Sequence, residues 1–159
     1  MKNRATVVCW RDGKILLVAR KHARWALPGG TIRVDESPVE AAARELQEET
    51  ALDGYAMHYA FRFSGFRKHH FVFLVLLPRE VIAVARHEIA HCRWVRPARV
   101  MRLPMSVPTR EIVGLLGGGT PKQPACAERR NATPEKDEAT GVQCAAIAQV
   151  FPERSRGTW

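Results

Sequence analysis

The chain has 159 residues, of which 46% are hydrophobic, and this is enough for one domain with a buried core. Its longest apolar run, residues 71–77, is too short to cross a bilayer, and no signal-peptide pattern is present, so neither a membrane protein nor a secreted protein is expected. The net charge of +9 favours polyanionic partners, while four cysteines without CxxC spacing exclude a disulfide framework and indicate a reducing cytoplasm.

The first predicted elements form a β-hairpin. Residues 4–10 are β-branched and apolar, and residues 14–19 return after the turn signal Asp12-Gly13. A basic connection follows, in which Arg20 and Arg24 can reach phosphate groups, although a solvated basic loop explains either arginine equally well. Several aromatic residues are able to stack on a base or to fill the core, namely Trp25, Phe63, Phe71 and Trp94.

The strongest helix signal in the chain begins at Ser37. Ser37 is a favourable N-cap, Pro38 suits the first helical position, and Glu40 completes a Ser-x-x-Glu capping box. The apolar residues at helical spacing predict a buried stripe made of Val39, Ala42, Ala43 and Leu46.

Three glutamates lie together on another side of this helix. Glu45, Glu48 and Glu49 are at positions i, i+3 and i+4, where like charges cost roughly 0.2–0.5 kcal/mol per pair. Arg44 precedes Glu48 by four residues and can brace it. The helix alone is compatible with a solvated acidic face, but a hard cation such as Mg²⁺, which prefers oxygen ligands, would turn the repulsion into attraction.

The segment 30–52 as a whole resembles the Nudix box, Gly-x5-Glu-x7-Arg-Glu-U-x-Glu-Glu-x-Gly-U, where U is a bulky aliphatic residue. The positions that match in register are Gly30, Glu36, Arg44, Glu45, Leu46, Glu48, Glu49 and Leu52. Ala51 stands where the family has a glycine that ends the helix. Because a non-glycine residue is costly in the left-handed conformation, we expect Gly54 to end the helix instead.

The resemblance also implies roles for individual residues. It implies that Glu45, Glu48 and Glu49 hold Mg²⁺ or Mn²⁺, with a carbonyl of Gly29 or Gly30 as a further ligand. It implies that a proton is taken by Glu45, Glu48 or Glu88. Two supporting roles follow in the same way, orientation of the glutamates by Arg44 and support of the loop–helix junction by Glu36. Arg20, Arg24 and Trp25 are then candidates for substrate binding.

The uneven charge of the chain agrees with a cation site surrounded by a surface that attracts polyanions, either nucleotides or RNA ends, although a genome-wide bias toward arginine also explains the basic charge. Residues 30–53 carry seven acidic residues and two arginines in a chain that is otherwise strongly basic. The resemblance implies hydrolysis of a nucleoside diphosphate linked to another group, with a nucleoside triphosphate as the first expectation. Dinucleoside polyphosphates, ADP-ribose-like sugars and triphosphorylated RNA ends are the other substrate classes. A catalytically weak, basic module that binds nucleotides or RNA is the alternative function.

The remaining chain predicts an α+β fold. Residues 55–63, 71–77 and 92–96 are typical of strands, while residues 64–70 form a turn that carries His69 and His70. Residues 79–90 are ambiguous between helix and loop, and Thr109 is expected to cap a helix over 110–116. The Nudix resemblance implies an α/β/α sandwich with a mixed sheet between helices. The domain is expected to span residues 1–117, followed by a polar, disordered tail over 118–159.

One motif competes with this interpretation. His87-Glu88-Ile-Ala-His91 matches HExxH, the zinc-peptidase signature, and Glu111 is a conceivable third ligand. The motif requires a helix that places both histidines on one face, whereas the residues after His91 predict a strand. The Nudix resemblance implies instead that Glu88 is an extra metal ligand or the general base, and an ordinary glutamate on a loop surface explains it equally well.

Overall fold

The apolar, β-branched residues at the start of the chain form the central strand of a sheet. In the computed structural model, which describes residues 2–116, β1 (Lys2–Arg11) turns into β2 (Lys14–Arg20). The turn residues Asp12 and Gly13 both have positive φ, as a two-residue hairpin turn requires, so the predicted hairpin is confirmed.

The other elements follow the predicted order of helix, strands and helix, with two short additions that the sequence did not predict, a strand over 29–31 and a helix over 97–100. Their bounds are β3 (Gly29–Thr31), α1 (Pro38–Thr50), β4 (His58–Ser64), β5 (Lys68–Leu76), β6 (Ile89–Val95), α2 (Pro97–Val100) and α3 (Val107–Leu115). Several predicted boundaries were wrong, and one of them is that of β6, which was expected over 92–96 and spans Ile89–Val95. The strand expected from residue 55 begins at His58, and the turn expected over 64–70 ends early because β5 already begins at Lys68.

The strands form one mixed sheet in the order β4-β5-β1-β2-β6, with β3 beside β1. Strands β1 and β5 are parallel along their whole length, from Lys2 opposite Lys68 to Trp10 opposite Leu76. The remaining pairs are antiparallel. The first half of β1 pairs with β3, and its last residues pair with β2. Gly29 and Gly30 of β3, called the double glycine below, therefore lie directly beside the central strand.

Each face of the sheet is covered by helix, and this confirms the α+β sandwich. Alternate residues of β1 point to opposite faces, as the pleat of a strand dictates. Val7 and Cys9 pack against α1 with Leu46, while Val8 and Trp10 join the core on the α2–α3 side. Within residues 2–116, no helix combines the length and the hydropathy that a bilayer crossing requires.

Helix α1 begins as its sequence predicts, and it buries two of the four residues that were expected to form its buried stripe. The Ser37 hydroxyl accepts from the Glu40 amide, and the Glu40 carboxylate accepts from the Ser37 amide, so the capping box is complete. Val39, which was expected to be buried, is 42% exposed, and Ala43 is exposed as well. Ala42 and Leu46 are buried as expected, and the other buried residues of α1 are Ala41, Glu49 and Thr50. The helix is rotated so that the Glu49 side of α1 faces β3.

The expected shift of the helix end to Gly54 was wrong. Ala51 itself adopts the left-handed conformation, with φ 60° and ψ 15°, and its amide donates to the Gln47 carbonyl. The helix therefore ends where a family glycine would end it, at the energetic cost of a Cβ in this conformation, about 1–2 kcal/mol. The following chain stabilises this end, since the amides of Val84 and Arg86 donate to the carbonyls of Thr50 and Glu49.

We expect Ala51→Gly to raise the free energy of unfolding by about 0.5–1 kcal/mol. Glycine removes the left-handed strain, and part of that gain is offset by the greater entropy of glycine in the unfolded chain. Urea denaturation measures the change. Gly54→Ala is the matched control, because Gly54 has φ +73° with open space around it, so a Cβ should there lower stability through conformation alone. A lower midpoint for Ala51→Gly would contradict this account.

Tertiary packing decides one question that the sequence left open and corrects two further expectations. The ambiguous segment before β6 has no helix, and its loop docks on the end of α1. The last helix begins at Val107 with Ser106 as its N-cap, because Thr109 is buried and accepts from the Leu27 amide. His70 lies in β5 and is buried, not on a turn surface. The expected tail, 118–159, lies outside the described residues, as does Gly117.

Candidate active site

The acidic side of α1 lies against the double glycine of β3. The Gly29 amide donates to Oε2 of Glu49 at 2.9 Å, and this carboxylate is only 5% exposed. A Cβ built on Gly30 would lie 1.9 Å from Oε1 of Glu45, so only a glycine leaves room for that carboxylate. The β1–β3 pairing thus sets the distance between the glycine backbone and the glutamates.

Arg44 binds three of the carboxylates at once. Its Nε and Nη2 donate to the two oxygens of Glu36 at 2.9 and 2.6 Å, which is a bidentate pair. Its Nη1 donates to Glu45 at 2.8 Å and to Glu48 at 3.2 Å. The hydrogen bond from Arg44, and then the Arg33 amide, lower the pKa of Glu36 to about 2, against the effect of its desolvation. Glu36 therefore remains an anion that fixes the guanidinium beside the other glutamates.

We expect Arg44→Lys to lower turnover by about 10–100-fold and the free energy of unfolding by about 1–3 kcal/mol. A lysine is a single point charge that cannot reproduce the guanidinium fork, so at least one half-buried carboxylate loses its partner. Steady-state kinetics and urea denaturation of the same preparation measure the two effects. Arg110→Lys, at an exposed position of α3, is the matched control and should change neither quantity. Unchanged kinetics in Arg44→Lys would contradict the assigned role of the fork.

Glu49 is the buried acid of the group. Burial, the largest influence, raises the pKa of Glu49 to about 7, and the nearby carboxylates of Glu45 and Glu88 add to the rise. The Gly29 amide and the Arg4 guanidinium act in the opposite direction. A buried carboxylate among other carboxylates is costly unless a cation compensates it. Arg4 supplies part of that compensation and also donates to the Gly29 carbonyl.

Glu88 reaches the site from the loop that docks on the end of α1. The Arg86 amide holds this loop to the Glu49 carbonyl at 3.1 Å, and His87 turns the chain with φ 51°. The Glu88 carboxylate is exposed and forms an ion pair with Arg20, the last residue of β2. The structure therefore brings Arg20 and Glu88 together at the same end of the sheet as Glu45, Glu48 and Glu49, which we call the acidic cluster.

The HExxH segment does not have the structure that a zinc peptidase requires. His87 and Glu88 form a turn, whereas His91 lies in strand β6. The two histidines consequently share no helix face, and the His91 ring instead lies 6.4 Å from the Trp25 ring. The zinc-peptidase alternative was wrong in this structural requirement.

The other two candidates for substrate binding differ in their surroundings. The Trp25 backbone is tied to the segment before α3, since its amide donates to the Pro104 carbonyl at 2.9 Å. Its indole is partly buried and packs against the core on the α2–α3 side. Arg24 is exposed, and no described carboxylate lies within salt-bridge distance of it.

An apolar cavity of about 470 Å³ opens on the α3 face of the sheet, opposite the face that α1 covers. Arg4 lines this cavity and also contacts Gly29, so one side chain connects the two sites. Phe66, which is 94% exposed, stands at its rim. Sequence analysis did not find Arg4 or this cavity. The available signal was a lone cation at the start of an apolar strand, together with the aromatic residues around 63–66.

His70 forms part of the cavity wall in an uncharged state at neutral pH. Its Nδ1 lies 2.9 Å from the Thr6 hydroxyl, and its ring makes an edge contact with Phe63 at 5.8 Å. Burial, followed by the nearby charges of Arg4 and Lys68, lowers the pKa of His70 from 6.5 to about 4. Between these two values the unfolded chain binds a proton that the folded chain does not.

We therefore expect His70 to weaken the fold as the pH falls from about 6.5 to 4, by up to about 3 kcal/mol. Stability contributed by neutral His70 is fully present above pH 6.5 and lost below pH 4. Urea denaturation across this range should show a shallower pH dependence for His70→Asn than for the unaltered chain. His58→Asn, at an exposed position of β4, should keep the original slope. Equal slopes for both variants and the unaltered chain would contradict the prediction.

The donor chemistry of the cluster fits a hard divalent cation. Glu45, Glu48 and Glu49 offer carboxylate oxygens, and the double glycine offers backbone carbonyls, which are the ligands that Mg²⁺ prefers. Among the residues that the structure describes, no three acidic, histidine or cysteine side chains already converge around one ion position. Arg44 donates to one oxygen of Glu45 and to one oxygen of Glu48, so the second oxygen of each carboxylate is left to bind a cation.

Comparisons with known proteins agree with the fold and with the motif. A model of the family described as NUDIX domain matches residues 1–116. Phosphatase NudJ of Escherichia coli (strain K12) is 31% identical, over 64% of this chain and 73% of that protein.

Two solved structures share the fold at lower sequence identity. The E. coli dihydroneopterin triphosphate pyrophosphohydrolase superposes with a TM-score of 0.62 at 19% identity, covering 71% of this chain and 92% of that one. The bifunctional NMN adenylyltransferase/ADP ribose pyrophosphatase of Francisella tularensis, complexed with AMP and a manganese ion, gives 0.64 at 21% identity, covering 72% and 40%.

Proposed function

Because this chain belongs to the Nudix family of hydrolases, we propose that it is a divalent-metal-dependent pyrophosphohydrolase that cleaves a nucleoside diphosphate linked to a further group. The favoured substrate is a nucleoside triphosphate, which would yield the monophosphate and pyrophosphate. The observation that carries the proposal is the buried Glu49 carboxylate, held among other acids against the backbone of Gly29. Such a group is costly to bury unless a cation binds there during function.

Glu45, Glu48 and Glu49, with a carbonyl of Gly29 or Gly30, would hold Mg²⁺ or Mn²⁺. When bound, the metal neutralises phosphate charge and lowers the pKa of the attacking water. Arg44, anchored by Glu36, sets the positions of two of these carboxylates before substrate arrives. This preorganisation matters because a misplacement of about 1 Å can cost 10²-fold in rate.

The chemical step forms a bond from the water oxygen to phosphorus and breaks the phosphoric anhydride bond. The proton of the water passes to Glu45, Glu48 or Glu88, and the leaving group departs as an anion, as pyrophosphate where the water attacks the α-phosphorus and as the nucleoside monophosphate where it attacks the β-phosphorus. Glu88 is a suitable acceptor because it is exposed at the edge of the acidic cluster, and its partner Arg20 keeps it oriented. Arg20 and Arg24 would stabilise phosphate charge during the same step.

The apolar cavity offers a place for the base of the substrate. Phe66 and Phe63 provide aromatic surface, and Arg4 connects this cavity to Gly29 at the acidic cluster. A bound nucleoside could therefore occupy the cavity while its phosphates extend toward the glutamates. In this arrangement the exposed Phe66, and not Trp25, stacks on the base, while Trp25 packs against the neighbouring core.

Hydrolysis of a substrate panel tests the proposal. Nucleoside triphosphates, dinucleoside polyphosphates, ADP-ribose and triphosphorylated RNA are incubated with Mg²⁺, Mn²⁺, Zn²⁺ or EDTA, and pyrophosphate is counted separately from orthophosphate. We expect EDTA-sensitive release of pyrophosphate from nucleoside triphosphates. Turnover of another class alone would change the substrate but keep the reaction. Tight nucleotide or RNA binding without turnover would replace the enzyme by a basic binding module.

A further inference from the structure

A second, strongly basic cavity lies at the far end of the sheet from the acidic cluster. Its volume is about 700 Å³, and it opens where Ile15 of β2 pairs with Val95 of β6. The Arg20–Ile89 pair, beside the candidate active site, is five residues further along β2, or roughly 17 Å. We call this cavity the basic cleft, and its charged lining residues are Lys14, Arg93, Arg96, Arg99 and Arg102.

The five cations of the basic cleft have no acidic partners among residues 2–116. Some arginines of the described chain, such as Arg44 and Arg79, have a carboxylate within 4.0 Å. None of the cleft residues has one. The four cleft arginines are exposed, so their guanidinium groups are accessible. Clustered cations of one sign repel one another and attract a polyanion from solution.

The backbone around α2 arranges three of these arginines in a row. The Arg99 amide donates to the Arg96 carbonyl at 2.8 Å, and the Arg102 amide donates to the Arg99 carbonyl at 3.1 Å. The Val100 amide also donates to the Arg96 carbonyl, at 3.2 Å, so the backbone around α2 is partly α-helical. Arg96, Arg99 and Arg102 follow one another along it at a spacing of three residues. A row of this kind suits a ligand that carries several phosphates in sequence.

The apolar lining of the basic cleft narrows the class of ligand further. Trp94 and Leu103, both partly buried, lie among the cations, whereas the Val95 side chain is only 6% exposed and belongs to the core. The Arg11 guanidinium lies 4.0 Å from the centroid of the Trp94 ring and adds a positive charge beside the indole. Phosphate groups alone would not require apolar walls, whereas nucleotides present both phosphates and flat bases.

We propose that the basic cleft binds single-stranded nucleic acid through its phosphate backbone, with bases against the apolar wall. This site is separate from the one that carries the proposed hydrolysis, because it shares no residue with the acidic cluster. Guanidinium groups pair with phosphate in a planar, bidentate manner, which agrees with the predominance of arginine over lysine in the cleft.

Fluorescence anisotropy of the full chain tests the proposal with fluorescein-labelled 12-nucleotide oligo(U) and oligo(dT). EDTA is present throughout, so that neither hydrolysis nor metal bridging contributes to the signal. The test variant is Arg99→Gln/Arg102→Gln. The matched control, Arg62→Gln/Arg110→Gln, removes the same charge from exposed positions outside the cleft. Circular dichroism confirms that both variants fold.

We expect the cleft variant to raise the Kd at least 10-fold and the control to change it less than 2-fold. The slope of log Kobs against log salt should fall by about 1.4, since each lost phosphate contact on a single strand contributes roughly 0.7. Equal weakening in both variants would show attraction by net charge alone and overturn the proposal. Displacement by inorganic polyphosphate as effectively as by oligonucleotide, at equal phosphate concentration, would remove the role of the bases and overturn it as well.

The result is independent of the outcome at the acidic cluster. Hydrolysis of nucleoside triphosphate by the cleft variant should stay within 2-fold of the unaltered chain, because no cleft residue contacts the glutamates or the double glycine. A protein without turnover that binds oligonucleotide through Arg99 and Arg102 would refute the proposed hydrolase and leave the cleft intact. A protein with turnover but no oligonucleotide binding would support the proposed hydrolase and refute the proposed role of the basic cleft.

Discussion

Glu49→Gln is expected to lower metal-dependent turnover by on the order of 10²–10³-fold without weakening the fold. Removing one group that stabilises charge in a transition state costs about 2.7–4 kcal/mol, and Glu49 is the buried member of the proposed metal site. Glutamine keeps the shape of the side chain and an oxygen that can accept from the Gly29 amide. It carries no charge, so the free energy of unfolding in EDTA should stay equal or rise, by up to about 3 kcal/mol.

Opposite changes in activity and stability distinguish a functional group from a structural one. If Glu49 only stabilised the β3–α1 contact, its replacement would lower both quantities together. Initial rates at saturating Mg²⁺ and urea denaturation in EDTA are measured on the same preparation. Glu111→Gln, the same chemical change at an exposed position of α3, should leave the rate within 2-fold. A Glu49→Gln variant that keeps more than a tenth of the turnover would show that the metal ligands are assigned wrongly.

Features that depend on nearby residues were predictable from the sequence. The capping box of Ser37 and Glu40 determines the start of α1 because both partners lie within one turn. The spacing of Glu45, Glu48 and Glu49 determines their side of the helix in the same way. The hairpin at Asp12-Gly13 follows from two turn residues alone. In each case the interaction that decides the structure lies within a few residues of the chain.

The errors arise where distant segments decide the outcome. Thr109 is a residue type that favours the N-cap position. Its hydroxyl, however, accepts from the Leu27 amide, 82 residues away, and the helix begins earlier. The sequence around His70 is typical of a turn. Parallel pairing with β1, however, places His70 opposite Arg4 and within hydrogen-bond distance of the Thr6 hydroxyl. Ala51 keeps a conformation that is unfavourable for alanine, because the loop with Val84 and Arg86 is bonded to the helix end. Sequence patterns contain no signal for such long-range contacts.

The two glycines of β3 are expected to respond to alanine in different ways, although they are adjacent. At Gly29 a Cβ would lie 2.2 Å from the backbone oxygen of Ala5, and φ is +140°, which a side chain rarely allows. Neither the central strand nor the φ angle can adjust locally. Gly29→Ala should therefore lower the free energy of unfolding by about 4 kcal/mol or more, enough to unfold many domains.

At Gly30 the obstacle is a movable side chain. The Cβ would lie 1.9 Å from Oε1 of Glu45, at the far end of a flexible glutamate that can turn aside. We expect Gly30→Ala to cost about 1–3 kcal/mol of stability, because overpacking is partly relieved. Turnover should fall by about 10²-fold, since the displaced carboxylate leaves both its proposed metal position and its hydrogen bond to Arg44.

Gly114→Ala provides the control for both substitutions. Gly114 lies in α3 with open space around it, so alanine should leave turnover unchanged and raise stability by about 0.5–1 kcal/mol. Thermal or urea unfolding and steady-state kinetics are measured on the three variants. They distinguish Gly29, where the backbone of the central strand leaves no room for a Cβ, from Gly30, where the Glu45 carboxylate occupies that space. A Gly30→Ala variant with full turnover would mean that the position of the Glu45 carboxylate beside β3 is not needed for the reaction. The double glycine would then serve the β1–β3 pairing alone, and Glu45 would have to be removed from the proposed set of metal ligands.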